Sequence, residues 1–368
     1  MNAQRTLADA FDPARNSFNF LRLFLAIVVL GSHAFVCGGF GQEIIGHKST
    51  PGTLAVYGFF GLSGFLIAGS AERSGAYSYI KRRVLRIYPA FWGVLVVTAF
   101  AIAPLTLIFR PVPDCDLWCY ATSNFGPIGY VGRNFTLYLG QPTISGTPAL
   151  LCPKWFASLW TLIFEFGCYM LLLGLALTTL LRRRWPVLLI TALTWLALVF
   201  ITSTPALNNN FSMFEFPMMN PITVLLPVFL TGSCLWMYRA LIPDSGWIAL
   251  SSTALLLGAF WLPFGSDFPP WYHSSVAALS PLLVYPLLWL GCHLRLHHIG
   301  RPNDYSYGIY LYAFPVQQLL FAAGIQDFGF FIFLALTFSV SVLLAFGSWH
   351  MLEKKCIGME PSQAATGK

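Results

Sequence analysis

Asn19-Phe20-Leu21-Arg22-Leu23-Phe24-Leu25-Ala26-Ile27-Val28-Val29-Leu30-Gly31-Ser32-His33-Ala34-Phe35-Val36-Cys37-Gly38 carries one formal charge, Arg22, and one imidazole, His33. Crossing the hydrocarbon core of a bilayer takes about 20 mostly apolar helical residues, and this stretch has that length and composition. It follows a polar stretch and is too long, with too few small residues for a cleavage site, to be a removed signal peptide. The expectation is a first membrane helix that stays in the chain.

The pattern repeats. Further apolar segments lie at about 53–71, 88–109, 155–181, 185–204, 219–238, 246–263, 276–291, 305–324 and 329–350. Of the 368 residues, 57% are hydrophobic and only 10% charged, whereas soluble domains carry about 25% charge. So few charges cannot cover the exterior of a water-soluble protein of this size. The net charge of +7 sits in short basic clusters between apolar runs, which argues for a topology signal and against a nucleic-acid partner. With the N-terminus in the cytoplasm and ten spans threaded, only Lys48, Arg110, Arg133 and Lys154 of the 21 Lys and Arg fall outside. Cytoplasmic loops hold the excess of Lys and Arg. The predicted fold class is therefore all-α, a polytopic membrane protein of about ten transmembrane helices with both termini cytoplasmic. Residues 1–18 form a cytoplasmic segment, 19–351 the membrane domain and 352–368 a cytoplasmic tail. One longer outer loop, 110–154, holds Cys115, Cys119 and Cys152, of which two could pair in an oxidising compartment. Cys37, Cys168, Cys234, Cys292 and Cys356, in or near the spans, read as packing residues.

Ionisable residues within the bilayer are costly and mark candidate sites. Few qualify: Arg22 and His33, Glu165 in the fourth segment, and His350 with Glu353 at the end of the tenth. Arg22 and His33 are eleven residues apart, which places them about 20° apart on one helix face and about 16 Å apart along the axis. A lone imidazole on an apolar helix also serves as a hydrogen-bonded packing group, and a lone Arg near a helix end also snorkels. Glu165 lies about ten residues from the outer end of the fourth segment, near mid-depth. Trp160, Thr161 and Tyr169 line roughly its face, and an interhelical hydrogen bond that fixes packing is the plainer reading. Gly58, Gly61 and Gly64 share one side of the second segment and suggest a packing seam, with Ser63 able to face a cavity. Arg83 and Arg86, one helical turn apart, could grip phosphates, although a basic inner loop is also what topology alone demands. There is no CxxC pair, internal repeat, metal-ligand set, phosphate-cradling glycine loop or GxSxG elbow.

Six motifs then fall in order: Arg22-x10-His33; Phe59-Phe60-Gly61-Leu62-Ser63-Gly64-Phe65; Arg83-Val84-Leu85-Arg86; Ser158-Leu159-Trp160-Thr161-Leu162-x2-Glu165-x3-Tyr169; Ser306-Tyr307-x2-Tyr310-Leu311; and Ser348-Trp349-x3-Glu353-Lys354. In this order, over about residues 15–357, the chain resembles the acyltransferase-3 family of membrane-bound acyltransferases. The resemblance implies a ten-span enzyme of the bacterial inner membrane. Its acyl donor would be acetyl-CoA, with no metal, and its acceptor a carbohydrate of the envelope or secreted material, free or lipid-linked. It implies His33 as the catalytic base with Glu165 as a second catalytic residue, and Arg22, Arg83 and Arg86 as donor-binding residues. Ser63, Trp160, Tyr169 and Tyr310 become the expected acceptor contacts. Two departures stand out. Many relatives have Asp three positions before the first-helix Arg, where this chain has Asn19. Many also have a His after the Tyr-Leu of the ninth span, where Tyr312-Ala313-Phe314-Pro315 follows here.

An imidazole suits a general base because its reference pKa of about 6.5 lies near working pH. Glu165 is expected to orient it or stabilise the developing imidazolium. The competing reading is a proton-coupled transporter or flippase of a glycan or lipid intermediate, with His33 and Glu165 as the proton relay. It lacks the repeat between halves that many transporters show. A third is a non-catalytic scaffold for lipid or polysaccharide assembly.

Overall fold

The computed structural model describes residues 5–41, 49–113, 115–148, 150–156, 158–203, 219–261, 277–301 and 303–358. No β-strand occurs among them. The helices are α1 (Leu7–Ala10), α2 (Phe18–Cys37), α3 (Pro51–Arg73), α4 (Ala76–Val97), α5 (Ala103–Phe109), α6 (Leu117–Thr122), α7 (Pro127–Arg133), α8 (Thr161–Leu177), α9 (Trp185–Ser203), α10 (Met219–Met237), α11 (Gly246–Ala259), α12 (Ser280–His293), α13 (Ser306–Ala322), α14 (Phe330–Ser348) and α15 (Lys354–Gly358). Every apolar segment of the sequence therefore has its helix. Four stretches, Phe18–Cys37, Pro51–Arg73, Ala76–Phe109 and Phe330–Cys356, are long and apolar enough to cross a membrane by length and composition. Thr161–Leu177, Trp185–Phe200, Ile222–Met237 and Gly246–Ala259 are shorter apolar helices. Lys48, Lys368 and the ends of the segments at 204, 262–263 and 276 lie outside the described residues.

Two boundaries differ from expectation. The third segment begins at Ala76, so Lys81, Arg82, Arg83 and Arg86 ride on a helix and not in a loop. The fourth begins only at Thr161: Trp155 is tied back into the outer loop, and Ser158 bonds to Tyr310. The Trp155 amide donates to the Pro142 carbonyl at 2.9 Å, and its indole N–H to the Thr147 hydroxyl at 3.2 Å. Glu165 consequently sits about one turn into α8, not ten residues along it.

The chain divides into two compact units. The first comprises Met1–Ser32, Glu43–Tyr79 and Ile163–Arg301. Its centre is the pairing of α3 with α10. A Cβ on Gly64 would lie 1.9 Å from the Phe229 carbonyl oxygen, and one on Gly232 2.0 Å from the Gly61 carbonyl oxygen. The Ser233 hydroxyl donates to the Gly64 carbonyl at 3.1 Å. The glycine seam is thus a backbone-to-backbone contact, as small residues permit between membrane helices. Gly64→Ala is expected to force α3 and α10 apart and cost about 3 kcal/mol, the upper end of overpacking costs. A lowered unfolding temperature of the detergent-purified variant checks this, and an unchanged one contradicts it. The N-terminal segment is docked in this unit: the Leu7 amide donates to the Ile242 carbonyl at 2.8 Å and the Asp244 amide to the Arg5 carbonyl at 2.9 Å. The ring of Phe11 lies 5.3 Å from that of Phe65 and 5.6 Å from that of Trp236.

The second unit comprises His33–Gln42, Ile80–Leu162 and Pro302–Lys368. Its α4 passes into α5 through a π turn at Thr98–Ile102. Pro104 has no N–H for the Phe100 carbonyl, and the helix widens just before it. α13 packs on α14, with Gly308 set against Ala345. The long outer loop is a built layer. Asn134 and Gln141 exchange hydrogen bonds at 2.8 and 2.9 Å, and Gln141 donates onward to the Phe125 and Thr143 carbonyls. Cys115 and Cys119 form a disulfide. Cys37, read above as a packing residue, meets Cys152 across 3.4 Å.

Candidate active site

The candidate residues fall into three groups of side chains. The first surrounds His33 in the second unit. The residue is half-buried on the last turns of α2, and its ring stands edge-on to Phe314 with centroids 5.6 Å apart. No described residue hydrogen-bonds to the imidazole. The ring is therefore held by packing, edge-on to Phe314. Arg22, half-buried, begins the same face of α2 eleven residues earlier. The start of that helix is fixed in the first unit by Ser17, whose hydroxyl donates to the Leu294 carbonyl at 2.7 Å. Asn19 donates its side-chain amide to the Gly300 carbonyl at 3.0 Å. An ionised carboxylate at this position would have no proton for that bond.

The second group lies in the first unit. Glu165 Oε1 accepts from the Ser63 hydroxyl at 3.2 Å and from the Tyr169 hydroxyl. Tyr79 donates to the Tyr169 carbonyl at 3.0 Å, which holds that turn of α8 in place. Ser63, Glu165 and Tyr169, singled out separately in the sequence, thus form one network. Both bonds fall on Oε1, and no described residue donates to Oε2. The Gly61–Gly64 seam explains why Ser63 is where it is: α3 is pinned on one side by glycine contacts, and Ser63 projects from a neighbouring face.

The third group, in the second unit, is one that sequence reasoning saw only in fragments. Arg86 bonds to Asp304 through Nη2 and lies 3.7 Å from Glu353 through Nη1. Its guanidinium stands 5.5 Å from the Tyr307 ring centre and 6.0 Å from that of Trp349. Asp304 also accepts from the Ser306 amide at 3.1 Å, which opens α13. Trp349 donates to Asn303 at 2.9 Å. Glu353 is 1% exposed and accepts from the Ser348 hydroxyl at 3.2 Å. Residues five apart in an α-helix are turned about 140° from one another. The π turn at Trp349–Glu353 narrows that angle and lets the pair meet. Three of the six sequence motifs therefore converge on one arginine. Asp304 lies outside any motif and was missed, because its role comes from a loop with no periodic signal. Arg83 sits one turn before Arg86 on α4, half-buried.

Tyr310 is buried. Its hydroxyl bonds to the Thr161 hydroxyl at 2.7 Å and donates to the Ser158 carbonyl at 2.8 Å, so it closes the N-terminus of α8. Trp160, by contrast, is 40% exposed. Among the described residues no cluster of three or more His, Cys, Asp or Glu could hold a metal ion.

Comparison with known proteins adds the following. The acyltransferase-domain model of the acyltransferase-3 family matches residues 15–349. The chain is 26% identical to the O-acetyl transferase of Shigella phage Sf6 over 352 residues, covering 92% of this chain and 95% of that protein. It is also 26% identical to nodulation protein 10 of Rhizobium leguminosarum bv. viciae over 394 residues, covering 95% of each. No solved structure matches.

Proposed function

The chain belongs to the acyltransferase-3 family, and from that premise we propose that it carries an acetyl group from acetyl-CoA to a hydroxyl of an envelope or secreted carbohydrate, free or lipid-linked. The observation that carries this reading is the setting of His33: a half-buried imidazole on an apolar helix, with no hydrogen bond from a described residue. The name of the phage relative supports acetyl as the group transferred. The carbohydrate acceptor follows from the family resemblance.

In the proposed reaction His33 takes the proton of the acceptor hydroxyl as its oxygen attacks the thioester carbonyl carbon. The tetrahedral adduct collapses, the C–S bond breaks, and the departing coenzyme A thiolate recovers the proton from the imidazolium. The products are the acetyl ester and free coenzyme A. Glu165 acts as the second catalytic group through Oε2, with Ser63 and Tyr169 holding it by Oε1. Arg22 and Arg83 meet the donor's phosphates. Arg86, with both terminal nitrogens turned to carboxylates, keeps the donor-side face of α4 in position. Trp160 offers an aromatic surface to a sugar ring. The excess of Lys and Arg on the inner segments supports ten spans in a bacterial inner membrane, both termini cytoplasmic, with membrane lipids as surroundings.

Membranes containing the protein, given acetyl-CoA labelled in the acetyl group, are expected to pass label to carbohydrate and to release coenzyme A in step. Gradient-driven movement of carbohydrate with no label incorporated would put the transporter reading in its place.

A further inference from the structure

Two thiols face each other where α2 ends. Cys37 is the last residue of α2 and is buried; Cys152 is half-buried in the loop that precedes α8. The Cys37 thiol donates to the Cys152 sulfur across 3.4 Å. A disulfide requires about 2.05 Å between sulfurs, so bonding closes the gap by about 1.4 Å, within the reach of small side-chain rotations. The surroundings hold both partners in register. Gln318, 1% exposed, donates to the Cys152 carbonyl and, at 2.8 Å, to the Lys154 carbonyl. Gly39 turns the chain just past α2 in the left-handed region, where a Cβ would meet Leu151 at 3.8 Å. Phe35 and Phe40 pack on Phe330, with centroids 4.1 and 5.4 Å away.

We propose that Cys37 and Cys152 form a second, reversible disulfide alongside Cys115–Cys119, made by exchange with a small-molecule or protein disulfide. The half-buried Cys152 is the entry point, because the oxidant reaches it before Cys37. The bond from Cys37 holds the Cys152 thiol below its ordinary range, and the thiolate is the attacking species. Cys152 attacks the incoming disulfide and expels one thiolate. Cys37 then loses its proton and attacks the Cys152 sulfur of the mixed disulfide, expelling the second. Two electrons and two protons pass to the oxidant, which leaves as two thiols. The product ties the outer loop to α2 one helical turn beyond His33, and a reductant unties it. The proposal stands on the thiol geometry and is independent of the role given to His33.

Its test is a peptide map of the full-length protein in detergent, incubated with oxidised glutathione, alkylated and digested without reduction, beside a sample reduced first. The expected result is a cross-linked peptide joining Cys37 to Cys152 and loss of both thiols from the alkylated pool, both reversed by reductant. In a portion reduced, freed of reductant and then given oxidised glutathione, return of the Cys115–Cys119 bridge reports that oxidation took place. Cys37→Ser should abolish the cross-link and leave Cys152 alkylated or glutathionylated. Full alkylation of Cys37 and Cys152 while Cys115–Cys119 is bridged would overturn the proposal, as would Cys152 joined to Cys115 or Cys119.

Discussion

His33→Ala is expected to lower the rate of acetyl transfer by about 10²–10⁴-fold, the usual contribution of a positioned general base, while the protein stays folded. The fold should survive because the ring is half-buried and gives up no hydrogen bond to a described residue; it packs edge-on against Phe314. A neighbouring aromatic can tolerate that loss far better than a buried polar network tolerates losing a member. The measurement is acceptor-dependent release of coenzyme A by purified protein, with the unfolding temperature taken on the same sample. His33→Gln, which keeps polarity and most of the volume but cannot take the proton, should fall to the same level. Full activity in either folded variant removes His33 from the reaction.

Arg86→Ala is expected to act on stability first. Removing the guanidinium leaves Glu353, almost wholly buried, facing Asp304 with no positive partner from Arg86. Breaking a buried pair by deleting one member costs about 3–5 kcal/mol, because the remaining charge stays uncompensated. The Tyr307 and Trp349 rings also lose the cation between them. A large fall in the unfolding temperature in detergent is the expected result. Arg86→Ala combined with Glu353→Gln should recover part of it, because the orphaned charge is then gone. Arg83→Ala separates the two arginines. It should keep the fold and raise the KM for acetyl-CoA. An unfolding temperature unchanged in Arg86→Ala would show that the carboxylate cluster does not hold this part of the protein together.

Much of the fold was legible because apolar length is a direct physical demand of the bilayer, and all ten apolar segments are helical. The errors came where polarity and helicity part company. Lys81 to Arg86 read as a loop because of their charge, yet they continue α4. The stretch that begins at Trp155 read as helix because it is apolar, yet Trp155 bonds to the outer loop and Ser158 to Tyr310, and α8 opens only at Thr161. In the candidate site, Ser63, Glu165 and Tyr169 were recognisable because two of them share a helix face and the third sits on a glycine-marked seam. The gathering of Asp304, Ser348 and Glu353 about Arg86 was not, since it depends on tertiary packing and on a π turn that α-helical spacing does not anticipate. The meeting of Cys37 with Cys152, 115 residues apart, has no local signal at all.

The pH dependence of kcat/KM tests the claim about His33 most directly. A general base works only when neutral, so as pH falls through its titration wild-type activity should decline along an acid limb, tenfold per pH unit once the ring is mostly protonated. The residual activity of His33→Ala should lack that limb while any decline due to acceptor or donor ionisation persists in both. An acid limb of the same position and slope in the two proteins would mean that another group takes the proton.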